Sequence, residues 1–328
     1  MTPIASNNSS APRSHPIRGY LFIAAAAAFW AASATLGKAV FTGRLIAGAD
    51  NLSPLDPLIL SQTRTTISFL VLAPLLLARG GSPALRMPPS HLLQCMLLGA
   101  VGITGSNFFY YFAIEKTTVA TAIILQYTAP VWVLLYMVAR RLQRPTLERT
   151  AAVGMAVAGS SLAIGLFGES QIRLNVMGVA AALGAAASFA FYNVYGHHLL
   201  ELYDRWKVVA YALLGSAVFW IVVNPPWKIV AARYSAEQWY FLIGFAFVSM
   251  LVPFSFYFAG LQYLDATRAI VTSCLEPVFA ILIAMIFVGE TVAGMQALGM
   301  AIVLVATIVV QFPERTATKS AAAGAFER

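Results

Sequence analysis

The sequence predicts an all-α polytopic membrane protein, with ten transmembrane helices arranged as two inverted five-helix repeats and both termini cytoplasmic. Three observations carry that expectation. Of 328 residues, 59% are hydrophobic and 10% are charged, where a soluble domain has roughly 45–50% apolar and ~25% charged residues. Ten long apolar runs follow one another, and a helix needs ~20 such residues to cross ~30 Å of hydrocarbon. The second five runs also repeat features of the first five. This composition excludes a soluble enzyme and a disordered chain. The net charge of +8 does not indicate a nucleic-acid partner, because the Lys and Arg residues lie between apolar runs rather than in one patch.

Residues 1–17, rich in Ser, Asn and Pro, read as a tail without fixed structure. The runs lie near 18–42, 57–79, 91–114, 118–139, 149–168, 176–199, 207–224, 238–262, 267–288 and 294–312, and 313–328 form a polar tail. Helices are expected because hydrocarbon leaves no partner for a free backbone group. A membrane barrel would alternate over ~10-residue segments, whereas these runs are continuous Ala, Leu, Val and Ile. Ala32-Ser33-Ala34 resembles a signal-peptidase site. The apolar run continues past it and has a counterpart in the second half, so it reads as a retained first helix.

Cys95 and Cys274 lie 179 residues apart inside apolar runs, which fits neither a disulfide framework nor a metal pair. They read as small buried hydrophobes. Adjacent His197 and His198 point in different directions on a helix, so no metal site is expected there.

Charge sets the orientation. With ten crossings, fourteen Lys and Arg residues fall on the side of the N-terminus and five on the other, with Lys38 and Arg64 inside runs. Basic loops stay in the cytoplasm.

Placing Pro130 over Pro277 brings Tyr110 onto Tyr257, Ala122 onto Ala269, Ile123 onto Ile270 and Leu135 onto Leu282. After a two-residue gap, Ala152–Val157 falls on 297–302, so Gly154 meets Gly299. Two units follow, 18–168 and 176–312. An odd number of crossings per unit inverts the second relative to the first. Inverted repeats are typical of secondary transporters, whose sites lie near the midplane between the halves.

At this point the chain resembles the drug/metabolite transporter superfamily in its ten-helix form with two EamA-type halves. Trp30 to Lys38 resembles that family's first-helix stretch and Arg64 its second-helix arginine. Glu276-Pro277, Gly289-Glu290 and Gly299 resemble its second-half signature, and Pro130 and Gly154 match the first half. Leu142-Gln143 departs from it where a Gly-Glu pair would stand. Within the family, the chain is most similar to bacterial inner-membrane amino-acid exporters, aromatic amino-acid exporters in particular. The resemblance implies a central cavity lined by both halves and rocking alternating access.

Several residues weigh as candidates for binding a substrate. An ionisable group inside a span is costly and therefore a functional candidate. Lys38, near the outer end of the first run, either serves a substrate or snorkels to the headgroups. Arg64 either binds a carboxylate through its fork or locks its helix to a neighbour. Glu276, just before Pro277, either accepts an ammonium or a coupling proton, or steadies the proline kink. Tyr110, Tyr192 and Tyr257 lie deep in their runs and line a cavity or pack as core. Trp30, Tyr111 and Tyr195 join them as aromatic candidates, and Asn107 and Gln126 are polar residues that need partners within a span. Trp206, Trp220, Trp227 and Trp239 read as interfacial belt residues. The stripes Ala24/Ala28/Ala32 and Ala180/Gly184/Ser188 read as packing seams.

The expected function is secondary transport of a small amphipathic metabolite across a bacterial inner membrane, above all export of aromatic or other apolar amino acids. Its partners are that solute and membrane lipid. Export of cationic drugs by the same fold is the alternative. A channel or a membrane-embedded enzyme ranks behind both, since no nucleophile–base pair, metal cluster or nucleotide motif is present. No cofactor is expected.

Overall fold

A computed structural model describes residues 16–41, 55–165, 175–288 and 291–312. The described residues are overwhelmingly helical and include no strand. Helix α1 spans Pro16–Phe41 and α2 spans Pro57–Gly80. A short 3-10 turn, Ser82–Leu85, leads to α3 (Pro89–Leu97), which passes through a π-helical stretch, Leu98–Thr104, into α4 (Gly105–Lys116). Then come α5 (Val119–Gln126), α6 (Ala129–Ala139) and α7 (Leu147–Ile164). The second half begins with α8 (Val176–Leu202), α9 (Arg205–Val223) and the single turn and a half of α10 (Trp227–Ala231). Next, α11 (Ala236–Ala246) passes through a π-helical stretch, Phe247–Leu251, into α12 (Val252–Leu261). Finally come α13 (Ala266–Ser273), α14 (Glu276–Ile283) with a π-helical end, Ala284–Val288, and α15 (Gly294–Val309).

Polar caps mark where several of these helices begin. Asp56 accepts from the Leu58 and Ile59 amides, Thr146 from Arg149, Asn175 from Gly178, Asp204 from Trp206 and Asp265 from Arg268. Each satisfies a donor that the first helical turn leaves unpaired. Eight helical rods among the described residues are long and apolar enough to cross a bilayer. Of the ten apolar runs in the sequence, the fifth and tenth fall outside that set. They form α7, whose first turn carries Glu148 and Arg149, and α15, which is apolar but shorter. These two helices pack along each other.

The backbone repeats itself. Helix α4 starts at 105 and α12 at 252, α5 at 119 and α13 at 266, α6 at 129 and α14 at 276, so each lies 147 residues from its counterpart. Two of the three π-helical stretches end immediately before α4 and α12, and the breaks between α5 and α6 and between α13 and α14 each end two residues before a proline, Pro130 and Pro277. The packing repeats as well. Helix α1 lies against α12, α13 and α14, as α8 lies against α4, α5 and α6.

Between apolar helices in lipid, association comes from close van der Waals packing rather than from water exclusion. The glycines show where backbones meet. A Cβ on Gly99 would stand 1.7 Å from the Ala212 carbonyl oxygen, and one on Gly215 would stand 2.1 Å from that of Met96. A Cβ on Gly299 would lie 2.4 Å from the Ala163 nitrogen, which welds α15 to α7. Gly154, the sequence counterpart of Gly299, has no neighbour within 4 Å; Gly159 makes the contact instead. On α1, the buried residues are Gly19, Ile23, Ala26, Ala27, Ala31 and Ser33, and the expected stripe of Ala24, Ala28 and Ala32 is only partly buried. Trp220 also corrects the belt assignment, since it is 1% exposed and packs edge-on to Phe219 inside the core. Its amphipathic ring faces other helices, not lipid.

Residues expected on one side of the membrane meet one another. Lys207 reaches the Arg86 carbonyl, Arg205 reaches Gln262 and Arg149 reaches Asp265. At the other ends, the Tyr234 hydroxyl accepts from the Asp56 amide and Asn224 donates to Gln62.

Candidate functional site

The two interrupted spans set the site. Between α5 and α6, Tyr127 and Thr128 carry the chain across a non-helical step; between α13 and α14, Cys274 and Leu275 do the same. Each second half-helix has proline in its first turn, Pro130 and Pro277. Proline has no N–H to offer the residue four back, so the carbonyls of Gln126 and Ser273 lose their regular helical donors. Half-helix ends within a membrane concentrate partial charge where a solute can meet it.

Glu276 is the first residue of α14. A helix start favours a negative group through its unpaired amides and dipole. The carboxylate lies within electrostatic reach of the Tyr127 side chain in the other interruption. Tyr110 on α4 lies within electrostatic reach of both. Tyr127 also lies within electrostatic reach of Cys274, the residue 147 positions later. Glu276 is half-buried, with part of its surface open.

A cation on α2 meets α4 through Asn107. Arg64 Nη2 donates to Asn107 Oδ1 at 2.9 Å. Its Nε is buried without a protein partner, and no acid pairs with it among the described residues. Asn107 and Tyr110 are three residues apart on α4, hence on one face a turn apart. Gln126 Nε2 donates to Ser106 Oγ at 3.2 Å beside them. Helix α4 therefore meets the Arg64 cation through Asn107 and the Gln126 amide through Ser106, and it carries Tyr110 within electrostatic reach of Glu276.

A second group is aromatic. Trp30 lies 5.2 Å from Tyr257 and 5.4 Å from Phe254, ring centre to ring centre. Tyr192 lies 5.5 Å from Tyr257, and both are buried. The Tyr257 hydroxyl donates to Asn193 Oδ1 and lies within electrostatic reach of Ser273, at the end of α13. Tyr257 thus supports one helix interruption as its repeat mate Tyr110 flanks the other.

Of the residues proposed from sequence, Asn107 pairs with Arg64, Gln126 pairs with Ser106, and Tyr110 lies within electrostatic reach of Glu276. Trp30, Tyr192 and Tyr257 form the packed group beside them. Tyr111 is half-buried with its ring 5.6 Å from that of Tyr110. Tyr195 stands apart, stacked on Phe191 at 5.1 Å and near His198. The Lys38 side chain and Gly289-Glu290 lie outside the described residues. Tyr127, Ser106 and Asn193 are partners that the sequence reading missed. The 147-residue shift that places Tyr127 on Cys274, beside Glu276, was the available signal.

Comparison with known proteins agrees with this architecture. The EamA-like transporter family matches residues 17–165 and 176–312. An uncharacterized transporter of Archaeoglobus fulgidus is 27% identical over 64% of this chain and 74% of its own. The threonine/homoserine exporter RhtA of Salmonella typhimurium is 26% identical over 68% of this chain and 72% of its own. The Escherichia coli K12 protein of that name is 25% identical over the same shares. One solved crystal structure, 20% identical, superimposes with a TM-score of 0.70 over 89% of this chain and 97% of its own, which shows a shared fold. The chain is a multi-pass membrane protein that belongs to the EamA-like transporter family.

Proposed function

We propose that the protein exports an amino acid across the bacterial inner membrane by alternating access. Ten crossings, in two inverted repeats over 18–168 and 176–312, form its transport body. The constant 147-residue shift, the exchanged packing of α1 and α8, and the two separately matched blocks support that reading. The site would lie between the repeats, near mid-span, where either half can open it in turn.

The substrate class rests on two groups held within the spans, Arg64 with an unpaired donor and Glu276 at a helix interruption. A zwitterion needs a donor fork for its carboxylate and an acceptor for its ammonium. Arg64 has unpaired donors, and Glu276 with Tyr127 supplies the acceptor. The surrounding Ser106, Asn107 and Gln126 favour a small hydroxyl-bearing side chain, in line with the threonine/homoserine exporters among the relatives. A second reading, export of aromatic amino acids, is favoured by Trp30, Phe189 and Tyr257 packed beside the broken helices. Export of a cationic drug would use Glu276 and leave Arg64 idle.

Counterflow in proteoliposomes tests this. Lumenal threonine or homoserine is expected to accelerate entry of labelled threonine, with phenylalanine and tryptophan as competitors. Accelerated flux of phenylalanine but not threonine moves the assignment to the aromatic class. If none of the four moves or competes while a cationic dye does, amino-acid export is rejected.

A further inference from the structure

A cavity of about 400 Å³ lies at the end of α6 and the start of α13, away from the interruptions at Tyr127-Thr128 and Cys274-Leu275. Its walls are Arg141, Leu142, Gln143, Arg144, Arg149 and Asp265. Asp265 is the acid on that wall, and it is already bridged by Arg149 at 3.5 Å and Arg268 at 3.4 Å. Arg141 and Arg144 are exposed and have no acidic partner among the described residues. The cavity therefore carries uncompensated positive charge.

Its floor is fixed by hydrogen bonds between the two halves. The Thr267 hydroxyl donates to Gln143 Oε1 at 2.7 Å. Arg141 adopts a left-handed backbone, with φ +57. Helices commonly end on a glycine in that conformation, because glycine has no Cβ to clash. Arginine accepts the strain here, and Arg141 lines the cavity.

Depth and greasiness decide what fits. One apolar span ends at Ala139 and another starts at Ala266, so the cavity opens at the level where hydrocarbon gives way to headgroups. Leu142 is 61% exposed and Leu147, close by in the chain, is 82% exposed. An arginine-lined wall beside exposed leucines suits a ligand with a phosphate and an acyl chain, not a free anion. Basic pockets between spans at this depth bind acidic headgroups.

We propose that this cavity holds the phosphodiester headgroup of an anionic glycerophospholipid, clamped by Arg141 and Arg144 and seated against Gln143 and Arg149. Charge-assisted bonds from arginine to phosphate are strong and geometrically specific.

Native mass spectrometry and thermal shift of the purified full chain, with phosphatidylglycerol, phosphatidylcholine, inorganic phosphate and glycerol phosphate, test the site. Phosphatidylglycerol alone is expected to bind and stabilise. The double variant R141G/R144Q keeps the fold, because glycine suits the φ of residue 141, and should lower phosphatidylglycerol occupancy roughly thirtyfold. The matched variant R18Q/R79Q, which removes two exposed arginines elsewhere on the same side, should retain it. Equal response to phosphatidylcholine, equal response to either soluble phosphate, full response in R141G/R144Q, or equal loss in R18Q/R79Q would each overturn the assignment.

Discussion

Arg64 and Asn107 form a directed pair: Nη2 of the arginine donates to Oδ1 at 2.9 Å, while Nδ2 of the asparagine donates to the Ile103 carbonyl at 2.8 Å. That second bond fixes which way the amide faces. The amide in turn holds one edge of the guanidinium and leaves Nε without a protein partner. The arrangement positions a cation and keeps part of its hydrogen-bonding capacity free.

R64Q is therefore expected to raise the apparent KM for a transported amino acid by roughly tenfold to a hundredfold, the range for a lost charge-assisted bond. R64K keeps the charge without the planar fork and should fall between. N107A should weaken binding less, since it loosens Arg64 without removing it. Counterflow kinetics with detergent-state melting curves check these expectations. If R64Q leaves KM unchanged but lowers the melting temperature, Arg64 only braces α2 against α4.

Glu276 meets Tyr127 where the two broken helices approach. If Glu276 carries the coupling proton, E276Q should still exchange amino acid at equal pH on both sides and lose its acceleration by an imposed pH gradient. Parallel flux measurements with and without the gradient decide it. A variant that keeps its full response to the gradient rejects the proton role.

The weld between α7 and α15 gives a stability prediction with an internal control. G299L drives a side chain into the backbone at Ala163 and Gly159, and overpacking of this kind costs about 1–3 kcal/mol. G154L meets open space and should melt with the parent protein. Thermal unfolding of the two variants tests this, and equal melting temperatures would contradict the close approach.

Y257F separates packing from binding in the aromatic group. The ring contacts with Trp30 and Tyr192 remain, but Asn193 Oδ1, buried on α8, loses its donor. A buried acceptor left unpaired costs about 1–3 kcal/mol. Melting temperature should fall while KM for threonine stays near the parent value. A large rise in KM at unchanged stability would place the hydroxyl in the substrate site instead.

Much of this was readable in the chain itself. The apolar runs had to be helices because hydrocarbon leaves backbone groups no other partner, and composition alone therefore announced a membrane protein. Pro130 and Pro277 anchored an alignment whose shift reappears in the backbone, where each stands in the first turn of a half-helix, a place that does not need its missing N–H. Glu276, Asn107, Tyr110 and Gln126 stood out because polar groups inside a span need partners. The fifth and tenth runs, by contrast, fold into α7 and α15, shorter or more polar helices than their runs suggested.

The sequence by itself determined the membrane class, the duplication and the small inventory of polar residues held within the spans. Only the tertiary structure decided which of those residues meet. It joined Tyr127 to Glu276, set Asn107 against Arg64, sent Trp220 into the core and moved the glycine contact from Gly154 to Gly159. Those choices depend on the rotation and depth of each helix against its neighbours, which close packing fixes and which one helix's periodicity leaves open.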